Sequence, residues 1–284
     1  MNEDVVPAWE DPRRVLSRHG LRPKRGMSQN FLVSRSAVER IAGALALAPE
    51  ETVVELGPGL GTLTAELLRS GGRVIAIDAD RDMLGVLAQE LGHVTRLDAR
   101  FGDATQLDLA PIAEGGRVAV AGNLPYAVTG AIFRRLVEQH AHLSRAVLMV
   151  QREVRDRLLA QPGTKQYGAL TVFTHAVFDV QPVCLVPAGA FHPPPKIDSA
   201  VVRMAPRAEP IDVRQPMFTE AVRASFEARR KTLRNALLRT APVDVVERAL
   251  EAAQIDGIRR GETLSIAEFA TLAKALAAAA RPAP

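Results

Sequence analysis

Thr52-Val53-Val54-Glu55-Leu56-Gly57-Pro58-Gly59-Leu60-Gly61 is an apolar run of strand length that passes directly into a glycine turn, after which Thr62 leads into a helical pattern over 63–69. Strand, glycine turn and helix in that order form the ligand-facing entrance of an open α/β sheet, because glycines accept positive φ and let a ligand approach the backbone closely. The second strand, 74–77, ends in Asp78, roughly 20 residues past the glycines, where a carboxylate can accept both hydroxyls of a ribose. The pattern is GxGxG rather than GxGxxG, and no lysine follows to make a phosphate loop. The turn therefore suits S-adenosyl-L-methionine, which has ribose and adenine but no phosphate, better than NAD. Asp78 has an alternative use as a helix cap, but Asp80 is better placed for that.

A third strand near 94–99 leads to Phe101-Gly102-Asp103-Ala104. Asp103 there can accept from the cofactor's adenine amino group, or simply cap a turn. The fourth strand, 118–121, delivers Gly122-Asn123-Leu124-Pro125-Tyr126 to the carboxyl edge of the sheet. That run fits methylation of an exocyclic amine on a nucleobase. The lone pair of such an amine is delocalised into the ring until acceptors grip its protons, and the Asn123 side-chain oxygen and Leu124 carbonyl are candidate acceptors. Pro125 biases Leu124 toward an extended conformation, and Tyr126 can stack on the base. The alternative is a strand-end turn in which Asn and Pro serve only backbone geometry.

A fifth strand, 147–150, runs into a helix ending near residue 160, and the polar loop 161–168 is expected to be mobile. Two strand candidates, 170–175 and 178–185, leave no room for a crossover helix and are expected to be antiparallel neighbours. Before the strand 200–204 comes Ala190-Phe191-His192-Pro193-Pro194-Pro195-Lys196. Its three prolines stiffen the loop, which presents Phe191 as a second stacking face opposite Tyr126 or packs it inside.

Toward the N-terminus, Asp11-Pro12 is a cap followed by a first-turn proline, and Gly20 ends that helix. Ser36-Ala37-Val38-Glu39 has the form of a capping box starting a helix with Val38, Ile41, Ala42 and Leu45 on one face, which leaves Asn30 in a connector. After Pro206 the pattern becomes purely helical, over 217–228, 231–239, 243–253 and 266–279. The boundary is placed at residue 207: a catalytic domain over 1–206 that includes the N-terminal basic helix and loop, and a helical substrate-recognition domain over 207–284.

The chain has 284 residues, 47% of them apolar, enough to bury a full core. No uninterrupted apolar run is long enough for a membrane span and the N-terminus lacks a signal-peptide pattern, so a cytoplasmic protein without membrane attachment is expected. A single cysteine, Cys184, excludes an internal disulfide framework. The histidines lack metal-ligand spacing, and no metal is expected. Positive charge is concentrated: Arg13, Arg14, Arg18, Arg22, Lys24 and Arg25 occur with no acidic residue among 13–25, and 207–239 carries eight basic residues against four acidic. Such flanks suit a phosphate-rich partner. Arg22, Lys24 and Arg25, and Arg229, Arg230, Lys231 and Arg234, are the candidate RNA contacts.

Ser28-Gln29-Asn30-Phe31-Leu32, Glu55 to Gly61, Gly102-Asp103-Ala104, Gly122 to Tyr126 and Phe191 to Arg203 together resemble the ribosomal RNA adenine N6,N6-dimethyltransferases, specifically their bacterial small-subunit (16S) branch. The resemblance runs from Arg13 to about Ala270. It implies a Rossmann-like class I methyltransferase sheet of seven strands with the last hairpin antiparallel, plus a small all-helical C-terminal domain. By it Asn30, Leu32, Gly57, Asp78, Asp103 and Asn123 fall on cofactor-contacting positions, with Gly59 and Gly61 in the same glycine turn. Asn123, Leu124, Tyr126 and Phe191 fall on the target-base pocket, with Pro125 between them. Ser28 stands where the family usually has glycine and Asp78 where it often has glutamate; neither removes a needed functional group. The implied reaction is dimethylation of two adjacent adenines in a 3′-terminal hairpin loop of 16S rRNA, within the assembling small ribosomal subunit, by a monomer. The alternatives are a large-subunit (23S) dimethyltransferase that confers macrolide resistance, and a non-catalytic ribosome-assembly binding factor.

Overall fold

The strand expected at 52–56 lies inside the molecule's sheet, beside its central strand. In the computed structural model, residues 4–24 and 29–280 are described; Arg25 and Ser28 lie outside the described residues. The first half of the chain forms α1 (Pro12–Arg18), β1 (Phe31–Leu32), α2 (Arg35–Leu45), β2 (Thr52–Leu56), α3 (Thr62–Arg69), β3 (Arg73–Asp78), α4 (Arg81–Leu91), β4 (Leu97–Phe101), α5 (Ala110–Ala113), β5 (Val118–Asn123) and α6 (Thr129–Glu138). The second half forms β6 (Leu143–Gln151), α7 (Arg152–Leu158), α8 (Ala169–Val177), β7 (Phe178–Val186), β8 (Phe191–His192), β9 (Ser199–Pro206), α9 (Pro216–Glu227), α10 (Leu233–Leu237), α11 (Val243–Ala253) and α12 (Ile266–Ala279).

Seven strands lie in one sheet in the order β4-β3-β2-β5-β6-β9-β7. The β2–β3, β3–β4, β2–β5 and β5–β6 pairs are parallel, and β6–β9 is antiparallel. Val53, Val54, Leu56, Ala119, Val120 and Ala121 are wholly buried, as parallel strands covered on both faces require. From β2 the chain adds β3 and β4 on one side and then β5 on the other. The gap between β2 and β5 is thus a topological switch point, where such sheets bind ligands.

Local signals explain the helix starts. Asp11 caps α1 by accepting from the Arg13 amide, with Pro12 in the first turn. Asp80 caps α4 through the Asp82 amide. α2 departs from the expected capping box at Ser36: its N-cap is Ser34, two residues earlier and without a side-chain capping bond, while Val38, Ile41, Ala42 and Leu45 are its buried face as the periodicity requires.

Two compact units are present, Met1–Arg155 with Val180–Pro206, and Asp156–Asp179 with Arg207–Pro284. One break falls at residue 207, and 156–179 groups with the helical unit rather than with the sheet. Residues 170–175 are a correction to the expected strand: they lie inside α8, where Thr171, Val172, Thr174, Ala176 and Val177 are buried. Their β-branched residues favour a strand in isolation, but packing overrides that preference. The polar loop 161–168 is tied down at two points, although 161–166 are exposed. Tyr167 is 1% exposed and donates to the Leu264 carbonyl at 2.8 Å, and the Gly163 amide donates to the Glu262 carbonyl at 2.7 Å. Tyr167, Phe226 and Phe269 form an aromatic chain in this unit, with ring centroids 5.9 and 6.1 Å apart. The helix expected over 231–239 is the shorter α10.

At the switch point the backbones of β2 and β5 approach so closely that a Cβ added at Gly122 would lie 2.6 Å from the Leu56 carbonyl oxygen. Backbone cannot yield as a side chain can, so Gly122→Ala should cost about 1–3 kcal/mol, the usual range for overpacking. The expected outcome is a lowered thermal midpoint with an unchanged far-ultraviolet spectrum; a wild-type melting curve would contradict it.

Candidate active site

Strand register assembles the site. Leu56 is paired with Ile77 on one side and with Gly122 on the other, so the residues that follow, Gly57, Asp78 and Asn123, emerge at one edge. Asp78 is in turn paired with Phe101, which places Asp103 just beyond the next strand end. A cavity of about 390 Å³ opens there. Of the sequence-derived candidates, Asn30, Leu32, Gly57, Gly59, Asp78, Asp103, Asn123, Leu124, Pro125 and Tyr126 line it.

Gly57 and Gly59 have φ of 71° and 54°, the left-handed region that side chains disfavour. Gly61 is not in the lining. It is the N-cap of α3 with φ 78°, and a Cβ there would meet the Leu87 side chain at 2.8 Å, so its place is in the turn and its packing. The Asp78 carboxylate is held by two amides, with the Gly59 N–H donating to Oδ2 at 3.2 Å and the Asp80 N–H to Oδ1 at 2.8 Å. Burial raises its pKa against the opposing pull of those donors. Asp103 is oriented by accepting from the Thr105 amide at 2.8 Å.

The Asn123 side chain donates from Nδ2 to the Asn30 carbonyl at 3.2 Å, which fixes its rotamer and leaves Oδ1 as the acceptor. The Leu124 amide donates to the Met149 carbonyl at 3.1 Å, tying the strand end to β6. The Tyr126 hydroxyl lies 2.8 Å from the buried Ser199 Oγ. That bond fixes the ring, and nothing in the sequence around Tyr126 pointed to Ser199.

Phe191 is a correction. It is 4% exposed, belongs to the same hydrophobic cluster as Leu32 and Val186, and is not in the cavity lining. The cause is the pairing of β8 with β1, Leu32 opposite Phe191 and Phe31 opposite His192, which turns the Phe191 ring into the core. Phe31 instead approaches the turn, its ring 3.2 Å from where a Cβ of Gly59 would stand.

Among the candidate RNA contacts, Arg22, Arg230 and Lys231 are exposed. Lys24 is paired with Asp80 and Asp82, Arg229 with Glu262 and the carbonyls of Thr164 and Lys165, and Arg234 with Glu247.

Glu55, the charged residue inside the apolar strand β2, is a cavity residue that no local motif assigns a role. It is 1% exposed, lines the cavity, and accepts from Thr64 Oγ1 at 2.6 Å. Burial, and then the nearby Asp78 charge, push its pKa up to about 8 against that hydrogen bond.

A partly enclosed carboxylate at the end of β3, with an amide side chain and a fixed tyrosine ring two strands away, lines one cavity at the switch point of the sheet. The fold is that of the class I methyltransferases. The family model described as "Ribosomal RNA adenine dimethylase" matches residues 20–278, and the chain belongs to that family. It is 48% identical over 274 residues to "Ribosomal RNA small subunit methyltransferase A" of Myxococcus xanthus (strain DK1622), covering 94% of this chain and 95% of that protein. Among solved structures, a dimethyladenosine transferase from Plasmodium falciparum is similar with a TM-score of 0.73 and 25% identity, over 85% of this chain and 95% of that one. The 23S rRNA methyltransferase ErmE is similar with a TM-score of 0.67 and 28% identity, over 87% of this chain and 100% of that one.

The Glu55 shift has a defined sign. Between its ordinary value of 4.5 and about 8 the folded protein holds a proton that the unfolded chain has released, so the contribution of Glu55 to stability falls as pH rises through that window. Glu55→Gln, uncharged throughout and still able to accept from Thr64, is expected to lose less thermal stability between pH 5 and pH 9 than the wild type. Parallel melting-point profiles for the two proteins would show that Glu55 is not protonated in the fold.

Proposed function

We propose that this protein dimethylates N6 of two adjacent adenines in a 3′-terminal hairpin loop of small-subunit (16S) ribosomal RNA, acting as a cytoplasmic monomer during ribosome assembly. The observation that carries the chemistry is the Asn123 to Tyr126 corner: one amide proton is committed to Asn30, the side-chain oxygen is left to accept, and a tyrosine is locked beside it by Ser199. The small-subunit target is favoured by the 48% identity to a small-subunit enzyme over nearly the whole chain, against 28% to a 23S enzyme.

Bound S-adenosyl-L-methionine supplies a methyl group on a positively charged sulfur, and the chain's own residues provide everything else. Asp78 holds the ribose hydroxyls, Asp103 the adenine amino group, and the open backbone of Gly57 and Gly59 allows close approach, with Asn30 and Leu32 forming the opposite wall. Oδ1 of Asn123 and the Leu124 carbonyl accept from the target amine and draw its nitrogen toward tetrahedral geometry. Pro125 holds that carbonyl outward, and Tyr126 stacks on the base. Phe191, from the core, braces the wall that carries Leu32. Catalysis is then chiefly positioning. No strong base is required, since the methylated amine is acidic enough to lose its proton to water. A second round on the same nitrogen requires only that the pocket tolerate one methyl. Arg22, Arg230 and Lys231 supply phosphate contacts from exposed positions.

Labelled-methyl transfer to purified small and large subunits, with the modified nucleoside identified, is expected to give N6,N6-dimethyladenine in the small subunit alone. Signal confined to the large subunit would overturn the target. Asn123→Ala should lower kcat by about 10²–10³-fold, as loss of a charge-positioning group does elsewhere, while particle binding persists. Transfer at the wild-type rate would refute its role, and loss of particle binding alone would favour an assembly factor. Stacking is tested by Tyr126→Phe against Tyr126→Ala. The first removes only the Ser199 bond and should be mild; the second should weaken kcat/KM by roughly 5- to 150-fold, the worth of about 1–3 kcal/mol of base stacking. Equal effects from both would place the function of Tyr126 in its hydroxyl.

A further inference from the structure

Lys24, a candidate RNA contact by sequence, is engaged inward. Its Nζ lies 2.8 and 2.9 Å from the two oxygens of Asp80, and 2.6 Å from Asp82. Asp80 is only 5% exposed, which is unusual for a carboxylate and demands partners. Gln29 completes the set. Its Nε2 donates to Asp80 Oδ2 at 2.8 Å, and its Oε1 accepts from the Lys24 amide at 2.9 Å. Both oxygens of Asp80 are thus taken up largely by the N-terminal segment, from the two positions that flank 25–28.

The same carboxylate is one peptide step from the cavity. The Asp80 N–H donates to Asp78 Oδ1, and its side chain caps α4 through the Asp82 amide at 3.0 Å. On the other side, Gln29 is followed by Asn30, whose carbonyl holds Asn123, by Phe31 against Gly59, and by Leu32, all of them cavity lining. Lys24 is 40% exposed while its partner Asp80 is buried, so the ammonium is a donor that the buried carboxylate depends on. Through Asp80 and Gln29 the pair is joined to the 29–32 wall of the cavity.

We propose that Lys24, Gln29 and Asp80 form a latch that holds the 29–32 wall closed over the cofactor cavity, making them positioning residues for cofactor retention, with Lys24 serving the cofactor rather than the RNA. The proposal rests on the reading of the cavity as the S-adenosyl-L-methionine site. A protein whose competent state is only partly populated binds in proportion to that fraction, so releasing the latch at Lys24 or Asp80, neither of which lines the cavity, weakens the cofactor's apparent affinity. Linkage makes the effect reciprocal, so bound cofactor slows opening of the wall.

The test compares Lys24→Met, the conservative Lys24→Arg, and Asp80→Asn, which keeps a good helix cap but removes the charge. Titration calorimetry with S-adenosylhomocysteine should show Kd raised about tenfold in Lys24→Met and Asp80→Asn, as when the closed fraction falls to roughly a tenth, and restored to within about twofold in Lys24→Arg. In steady state the KM for the methyl donor rises while kcat at saturation stays within about twofold of wild type. Amide exchange at 29–32 should quicken in Lys24→Met without cofactor. Binding of small-subunit particles without cofactor should be unchanged in Lys24→Met. An unchanged Kd in Lys24→Met, or weakened particle binding with normal cofactor affinity, would overturn the latch. Should the wild type bind no S-adenosylhomocysteine, the reading of the cavity fails instead. Amide exchange then still decides the latch: faster exchange in Lys24→Met supports it and unchanged exchange refutes it.

Discussion

The amide of Gly57 donates to the carbonyl of Ile77 at 2.9 Å, and the site depends on the parallel register that this bond continues. Pairing Leu56 with Ile77 and with Gly122 brings three strand ends level. A slip of one residue would send Asp78 or Asn123 to the opposite face of the sheet, since side chains alternate along a strand. The close contact at Gly122 and the positive φ of the glycine turn are local consequences of that alignment. Only glycine fits at 122 without displacing the Leu56 carbonyl of the neighbouring strand.

Three carboxylates within this small region are treated differently by their surroundings. Glu55 is enclosed with one hydroxyl partner, and burial pushes its pKa to about 8. Asp78 is partly enclosed and faces the cavity with two amide donors; burial still prevails and its pKa is raised. Asp80 is also raised by burial, but the Lys24 ammonium and its other donors outweigh this and hold it below the ordinary range. A neutral-leaning acid, a cavity-facing acceptor and an ionised anchor thus arise from one side-chain chemistry, separated by burial and by the number and charge of their hydrogen-bond donors.

The helical unit uses its charges largely on itself. Arg229 ties Glu262 to the carbonyls of Thr164 and Lys165, and Arg259 pairs with Glu268, which also closes the capping box of α12 with Ser265. A basic run in sequence therefore divides into residues that organise the unit and residues, Arg230 and Lys231, that remain exposed.

The sequence by itself determined the parallel strands, the glycine turn, Asp78 and the Asn123–Tyr126 corner, because buried strands and turn chemistry are written in consecutive residues. The switch from strand to helix at α8 was not legible: Thr171, Val172 and Thr174 carry strand preference, and the helix is decided by which faces of the second unit bury them. Nor was the inward turn of Phe191, which follows from pairing with Phe31 and Leu32, far away along the chain. Lys24 belongs to a basic run, and charge runs show sign but not partner. Only the tertiary structure set it against a buried Asp80, since the cost of burying a carboxylate arises when distant segments meet and exclude water.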